Sequence, residues 1–232
     1  MGLVEKTRTQ IEATRARADA LRQPFARMMA LFYAAITEVR FENVQAVRSL
    51  SEAMQKVVTD NGFVQGDPLW RWLTGWAHVQ AGQFDQGYAL LMDGYRYHLR
   101  INMVAGATSV LAHAAFSASR AGRAGEARRH VDDGFALAGN TGERLFMPDL
   151  MLARAEIERV AGDRGAARLA IEGAIRESHK QQAAWLELEA RVALCELDGA
   201  RPEDFQALAS HCRQLPEGHD TPLFRKASQL SA

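Results

Sequence analysis

Along most of this chain the apolar residues return every three or four positions, the spacing that gathers them on one side of a helix. Leu91 and Tyr95, Val131 and Phe135, and Ile171 and Ile175 are three such pairs, each four residues apart. No segment alternates apolar and polar residues for long enough to predict a strand. Turn residues punctuate the helical text. Asn61-Gly62 can stop a helix, Asp67-Pro68 can open the next as cap and first helical residue, and Pro202 and Thr221-Pro222 offer two further starts. The pattern predicts helices near 3–21, 24–40, 43–60, 68–81, 84–100, 103–121, 124–139, 144–161, 164–180, 183–198, 202–214 and 222–230. Pro148 fits this reading only in the first turn of its helix, where a missing N–H leaves no bond unmade.

These helices are written in repeats. Gly82, Gly122 and Gly162 stand forty residues apart, inside Gln-Ala-Gly-Gln, Arg-Ala-Gly-Arg and Val-Ala-Gly-Asp. Small residues recur seven positions before each glycine (Gly75, Ala115, Ala155), five after it (Gly87, Ala127, Ala167) and twelve after it (Gly94, Gly134, Ala174). Nine after it stand Leu91, Val131 and Ile171, and thirteen after it Tyr95, Phe135 and Ile175. Small residues let antiparallel helices approach closely, and a large residue one turn away fills the adjoining groove. The glycine suits the left-handed conformation that ends many helices. An earlier unit fits with Phe41 in the glycine's place and Ala34, Ala46, Leu50, Ala53 and Met54 in the columns. A later one centres on Gly199, with Val192 and Asp204 where small residues belong. The expected fold is all-α: one domain over residues 1–232 of tandem antiparallel helical hairpins, with units near 24–61, 67–101, 103–140, 143–181 and 183–214 and a terminal capping helix at 221–231.

Composition then narrows the function. Lys plus Arg number 28 and Asp plus Glu number 28, so the chain lacks the basic excess that a phosphate backbone demands. Cys195 and Cys212 do not form a secreted disulfide framework and read as free thiols in a reducing compartment. The N-terminal residues reach charge at once, without the apolar core of a signal peptide. The most apolar stretch, 101–118, carries Asn102, Thr108, Ser109 and His113 and reads as a buried helix rather than a membrane span. The expectation is a soluble cytoplasmic protein with no nucleic-acid and no membrane partner.

The small-residue columns around a glycine resemble the tetratricopeptide repeat, although these units run to forty residues and that family's to about thirty-four. A closer likeness lies in Ala138-Gly139-Asn140-Thr141-Gly142-Glu143-Arg144, in Arg154-Ala155-Glu156 and in Ala161-Gly162-Asp163. These resemble the C-terminal repeats of large bacterial signalling ATPases, which join a class III nucleotide cyclase or a LuxR-type DNA-binding domain to a STAND-type ATPase and a helical-repeat sensor. The segment from Pro216 to Leu223, followed by Ala227 and Leu230, is similar to the end of many of them. Phe41 for glycine, Arg164 for an apolar residue and His219 for an aromatic depart from the pattern. The resemblance implies a right-handed superhelical α-solenoid whose first helices line a concave face. It also implies a sensing or scaffolding role in a bacterial signalling or transcription regulator. No Gly-rich phosphate loop is present, so the chain corresponds to an isolated C-terminal part of such a regulator or to a stand-alone relative.

Catalytic motifs are missing from the text. None of the seven histidines forms a His-x-x-x-His pair, no Cys-x-x-Cys exists, and no Gly-x-Ser-x-Gly elbow is found. Cys195 lies in the apolar pattern Ala193-Leu194-Cys195 and reads as core. Asp132-Asp133 and Glu187 with Glu189 diverge on a helix and read as solvated faces, while Arg120, Arg123, Arg128 and Arg129 among Glu126, Asp132 and Asp133 read as a salt-bridged surface. No catalytic, cofactor or metal residue is assigned, and the chain is not expected to be an enzyme.

What remains is a stripe. Positions ten, six and three before the repeat glycine share one helix face. They read Leu31, Ala35, Glu38; Trp72, Trp76, Val79; Ala112, Phe116, Ser119; Leu152, Glu156, Arg159; and, in the last unit, Glu189, Ala193, Glu196. On the concave side that the resemblance implies, Trp72, Trp76 and Phe116 would approach one another as an aromatic centre. His113, Arg120, Glu156 and Arg159 would rim it with charge. An apolar anchor ringed by charge suits a protein or peptide partner. The same aromatic pocket would also suit a small-molecule effector.

Overall fold

The computed structural model describes residues 3–231. Among them are twelve α-helices and no strand: α1 (Val4–Ala20), α2 (Pro24–Arg40), α3 (Val44–Asn61), α4 (Asp67–Gln80), α5 (Phe84–Arg100), α6 (Ala107–Arg120), α7 (Ala124–Thr141), α8 (Met147–Val160), α9 (Arg164–Lys180), α10 (Ala184–Cys195), α11 (Pro202–Gln214) and α12 (Pro222–Leu230). A single 3-10 turn, Val64–Gly66, precedes α4. Pro148 sits in the first turn of α8. The expected starts at 103 and 144 move inward to Ala107 and Met147. The reason for the first shift is a cap. Gly106 is left-handed at φ 80°, its N–H donates to the Glu143 carboxylate at 2.9 Å, and the Thr108 hydroxyl donates to the same carboxylate. An acid at a helix N-terminus satisfies N–H groups that have no partner within the helix and meets the positive end of its dipole.

The turns follow a stricter rule than the letters suggest. Left-handed residues recur every twenty positions: Arg22, Glu42, Gly62, Gly82, Asn102, Gly122, Gly142, Gly162 and Gln182. At Gly82 the N–H donates to the Val79 carbonyl and the next N–H, on Gln83, reaches back to His78 at 2.9 Å. The same pair of bonds closes the turns at Glu42, Asn102, Gly122, Gly162 and Gln182. This is the Schellman arrangement, which satisfies the last carbonyls of a helix and reverses the chain. It corrects the expected register of the first unit. Phe41 has φ −94°, and Glu42 at φ 56° occupies the glycine's place. The columns there shift by one, so that Val47, Ser51 and Met54 are buried while Ala46 and Ala53 stay partly exposed.

The chain divides into two compact units, one of Val4–Val104 and one running from Ala105 onward. In the first, each of α1 to α5 packs on its neighbour in sequence and α2 also touches α4. In the second, α6 packs on α7 and α8, α8 on α9 and α10, and α10 on α11 and α12. The small-residue columns mark the closest crossings. A Cβ added to Gly87 in α5 would lie 2.8 Å from the Gly75 carbonyl of α4, and Ala115, Ala127, Ala155 and Ala167 are all buried. The first unit fills its interior with Met28, Met54, Leu73, Trp72 and Trp76. A core patch of the second is Ala155, Ala167, Ile171, Leu194 and Leu197, with Leu152 and Ile175 packed against it.

Candidate functional site

The first half of the expected stripe is core. Trp72 is 2% exposed and Trp76 is 3% exposed, with Leu31, Ala35 and Val79 buried beside them in sequence register. Trp72 meets Phe32 of α2 edge-on, with ring centroids 5.9 Å apart. The indole pair therefore offers no aromatic surface. The reason is geometric: the face assigned to an open groove is turned onto neighbouring helices of its own unit, and burying two indoles is worth more than leaving them wet.

The second half does assemble, on α6 and α8. Phe116 and Arg120 are one turn apart on α6, and Glu156 and Arg159 one turn apart on α8. Glu156 is 8% exposed and takes both arginines: Arg120 Nε lies 2.5 Å from one carboxylate oxygen, and Arg159 donates to both oxygens at 2.7 and 2.9 Å. The Arg120 guanidinium also lies over the Phe116 ring, 5.2 Å from its centroid, a cation–π contact. Phe116 and His113 are half-buried, and both guanidiniums reach solvent. The hydrogen bond to Glu156 raises the Arg159 pKa further, with the charges of Glu156, Asp198 and Glu196 adding to it against the effect of burial. The group thus carries two fixed positive charges and one fixed negative charge, with an aromatic edge. Leu152 and Ala193 are half-open positions of the same stripe, and Glu196 extends it as an exposed acid paired to Lys226 of α12 at 2.8 Å.

Elsewhere the acids are more deeply built than their spacing suggests. Glu187, expected on a solvated face, is 7% exposed. It accepts from Arg191 at 2.9 and 2.7 Å, and lies 3.3 Å from His179 Nδ1 and 3.6 Å from His211 Nδ1. The other ring nitrogen of His211 donates to the Ala184 carbonyl at 2.8 Å. Burial works to raise the Glu187 pKa, but the Arg191 hydrogen bond and the His211 and Arg191 charges hold it below the usual carboxylate range. Arg128 pairs through two bonds with Glu158 of the next hairpin, rather than with the acids interspersed around it. Cys195 is buried, and burial pushes its thiol up to about 11, which leaves it a poor nucleophile at neutral pH. Burial also raises Cys212. Lys226 and the Glu187 cluster carry no sequence signal beyond the four-residue step from Glu187 to Arg191.

Among the described residues no group of three His, Cys, Asp or Glu side chains is placed to hold a metal ion, and no helix is long and apolar enough to cross a membrane. The chain matches no protein-family model and no curated protein sequence.

Proposed function

We propose that this chain is a tetratricopeptide-like recognition module that holds a polypeptide partner on the first-helix side of its second unit. One observation carries the reading: Phe116, Arg120, Glu156 and Arg159 come from two helices, touch one another, and leave an aromatic edge and two guanidiniums open to solvent. Glu156 neutralises one positive charge and holds both arginines in place, so the group has a net charge of about +1 and little side-chain freedom left to lose. A peptide with an apolar side chain beside a carboxylate complements it. The apolar group lies against Phe116 and Leu152, and the carboxylate takes the free N–H edges of the arginines.

The forty-residue recurrence and the left-handed turns every twenty residues support a solenoid of helical hairpins, which presents such a face as a matter of course. The likeness of 138–163 and 216–230 to the sensor repeats of bacterial signalling ATPases supports a sensing or scaffolding role in a cytoplasmic regulator. Selection of a displayed random peptide library against the wild-type chain, with an Arg120→Ala/Arg159→Ala variant as the counter-target, tests the proposal. Enriched peptides should share an acidic residue near an apolar one and bind the variant about tenfold or more weakly. Equal binding to both proteins would remove the site, and a library that yields no enriched sequence would remove the recognition role.

A further inference from the structure

The first unit contains a half-open groove of about 410 Å³, formed where the α1–α2 turn meets the C-terminal end of α3. Its size falls within the range of small-ligand sites. The walls divide by chemistry. Ala18, Pro24, Ala53 and Val57 supply apolar surface, and Ala18 and Val57 are themselves buried. Five charged side chains stand around them. Arg27 pairs with Asp19 at 3.3 Å, and Lys56 pairs with Asp60 at 3.1 Å. The fifth, Arg22, has no partner for its guanidinium among the described residues.

Arg22 is also the residue that the turn does not want. It occupies the left-handed position at φ 51°, where five of the nine equivalent turns use glycine. A side chain with a Cβ pays about 1–2 kcal/mol to hold that conformation. Glu42, Asn102 and Gln182 hold the same conformation, but of these four Arg22 alone lines a groove with apolar walls, where its exposed, unpaired guanidinium is open to an anion.

We propose that this groove binds a small organic monocarboxylate with an apolar body. The Arg22 guanidinium takes the carboxylate through two parallel N–H···O bonds, and the body rests on Ala18, Pro24, Ala53 and Val57. Three cations and two anions leave a single positive charge to be met. A dianion such as a phosphate monoester brings a second negative charge toward Asp19 and Asp60 and is disfavoured. This site is independent of the recognition face proposed for the second unit.

The test uses the full chain and phenylacetate as the probe, with phenylacetamide as the uncharged analogue and phenyl phosphate as the dianion. Binding is followed by ¹H–¹⁵N correlation spectra and calorimetry. Phenylacetate should shift resonances of the α1–α2 turn and the end of α3, and both analogues should bind at least about tenfold more weakly. Arg22→Gly should abolish the shifts while keeping or raising the melting temperature, because glycine relaxes the turn. Ala53→Leu should weaken binding by filling the floor while leaving Arg22 in place. The proposal is overturned if phenylacetate shifts no resonance of this region, if the amide binds as well as the acid, or if either folded variant binds like the wild type.

Discussion

In the first unit α4 buries Trp76 and, beside Phe32, Trp72, and the acids of its ion pairs are half-buried, as in Arg71–Asp67, or exposed, as in Lys56–Asp60 and Arg96–Asp93. In the second unit Glu156, Glu158, Glu177, Glu187 and Asp204 are buried, and each meets an arginine. The turns are alike in both units, with a left-handed residue every twenty positions. The helical hairpin is therefore set by backbone turns and small-residue crossings, and the material between helices is free to differ. Bulky indoles stand among glycines in the first unit, where Gly75 and Gly87 leave no room for a Cβ and Gly94 leaves little. In the second, alanines at Ala115, Ala127, Ala155 and Ala167 take the equivalent columns, with Gly134 tight against Leu150 and one buried indole, Trp185. The indoles of Trp72 and Trp76 are thus closed inside one unit, whereas in the other buried acids hold arginines in place.

Substitutions can break this contrast. The largest effect is expected at Trp76→Ala, which should cost about 3–5 kcal/mol in a denaturant titration, the range for removing a buried indole. A loss under about 1 kcal/mol would mean that Trp76 is not core. Next is Arg168→Ala, which strips two bonds at 3.0 and 2.7 Å from the buried Asp204. It should cost about 3 kcal/mol, and an Arg168→Leu/Asp204→Leu pair should recover most of that, because a buried ion pair is worth little until it is half removed. Ala127 is fully buried in its column, so Ala127→Leu should overpack and lower stability by about 1–3 kcal/mol.

Acid should separate the units more gently. The Arg168 hydrogen bond holds Asp204 below the usual carboxylate range, and Glu177 and Glu187 are held low by Gln181, Arg144 and Arg191 despite burial. A carboxylate whose folded pKa lies below its unfolded one stabilises the fold fully above the unfolded value, and that stability is lost as pH falls toward the folded value. Amide protection, with the intrinsic pH dependence of exchange divided out, should therefore fall in α9 to α11 from about pH 5 downward, before α2 to α5 respond. A uniform fall in protection would contradict the contrast. The smallest effect is a gain: Glu42→Gly should stabilise by roughly 0.5–1 kcal/mol, read from the melting temperature, because glycine enters the left-handed region freely.

These cases also mark how far the sequence could be read. Gly82, Gly122 and Gly162 announce the turns because glycine is the cheapest left-handed residue, and the columns counted from them fall on the real crossings. Arg22, Glu42, Asn102 and Gln182 adopt the same conformation without a glycine to mark it, so the first unit reads one residue out of register. The charged part of the site was legible where it is local, since Glu156 and Arg159 are three residues apart. Helical spacing tells which residues share a face, not which way that face turns, and so it leaves Trp72 and Trp76 open between a recognition surface and packing against neighbouring helices. Glu187 shows the converse, an acid that spacing marks as solvated and that α11 covers by placing His211 beside it.

Under the proposed function, recognition belongs to the α6–α8 face, with α4 serving as core. Hydrogen exchange of the wild-type chain, with and without a peptide selected as above, tests it directly. Exchange should slow in α6 and α8 around Phe116, Arg120, Glu156 and Arg159, and this slowing should be lost in Arg120→Ala/Arg159→Ala, with α4 unchanged. Slowing centred on Trp72 and Trp76 in α4, with none in α8, would contradict it.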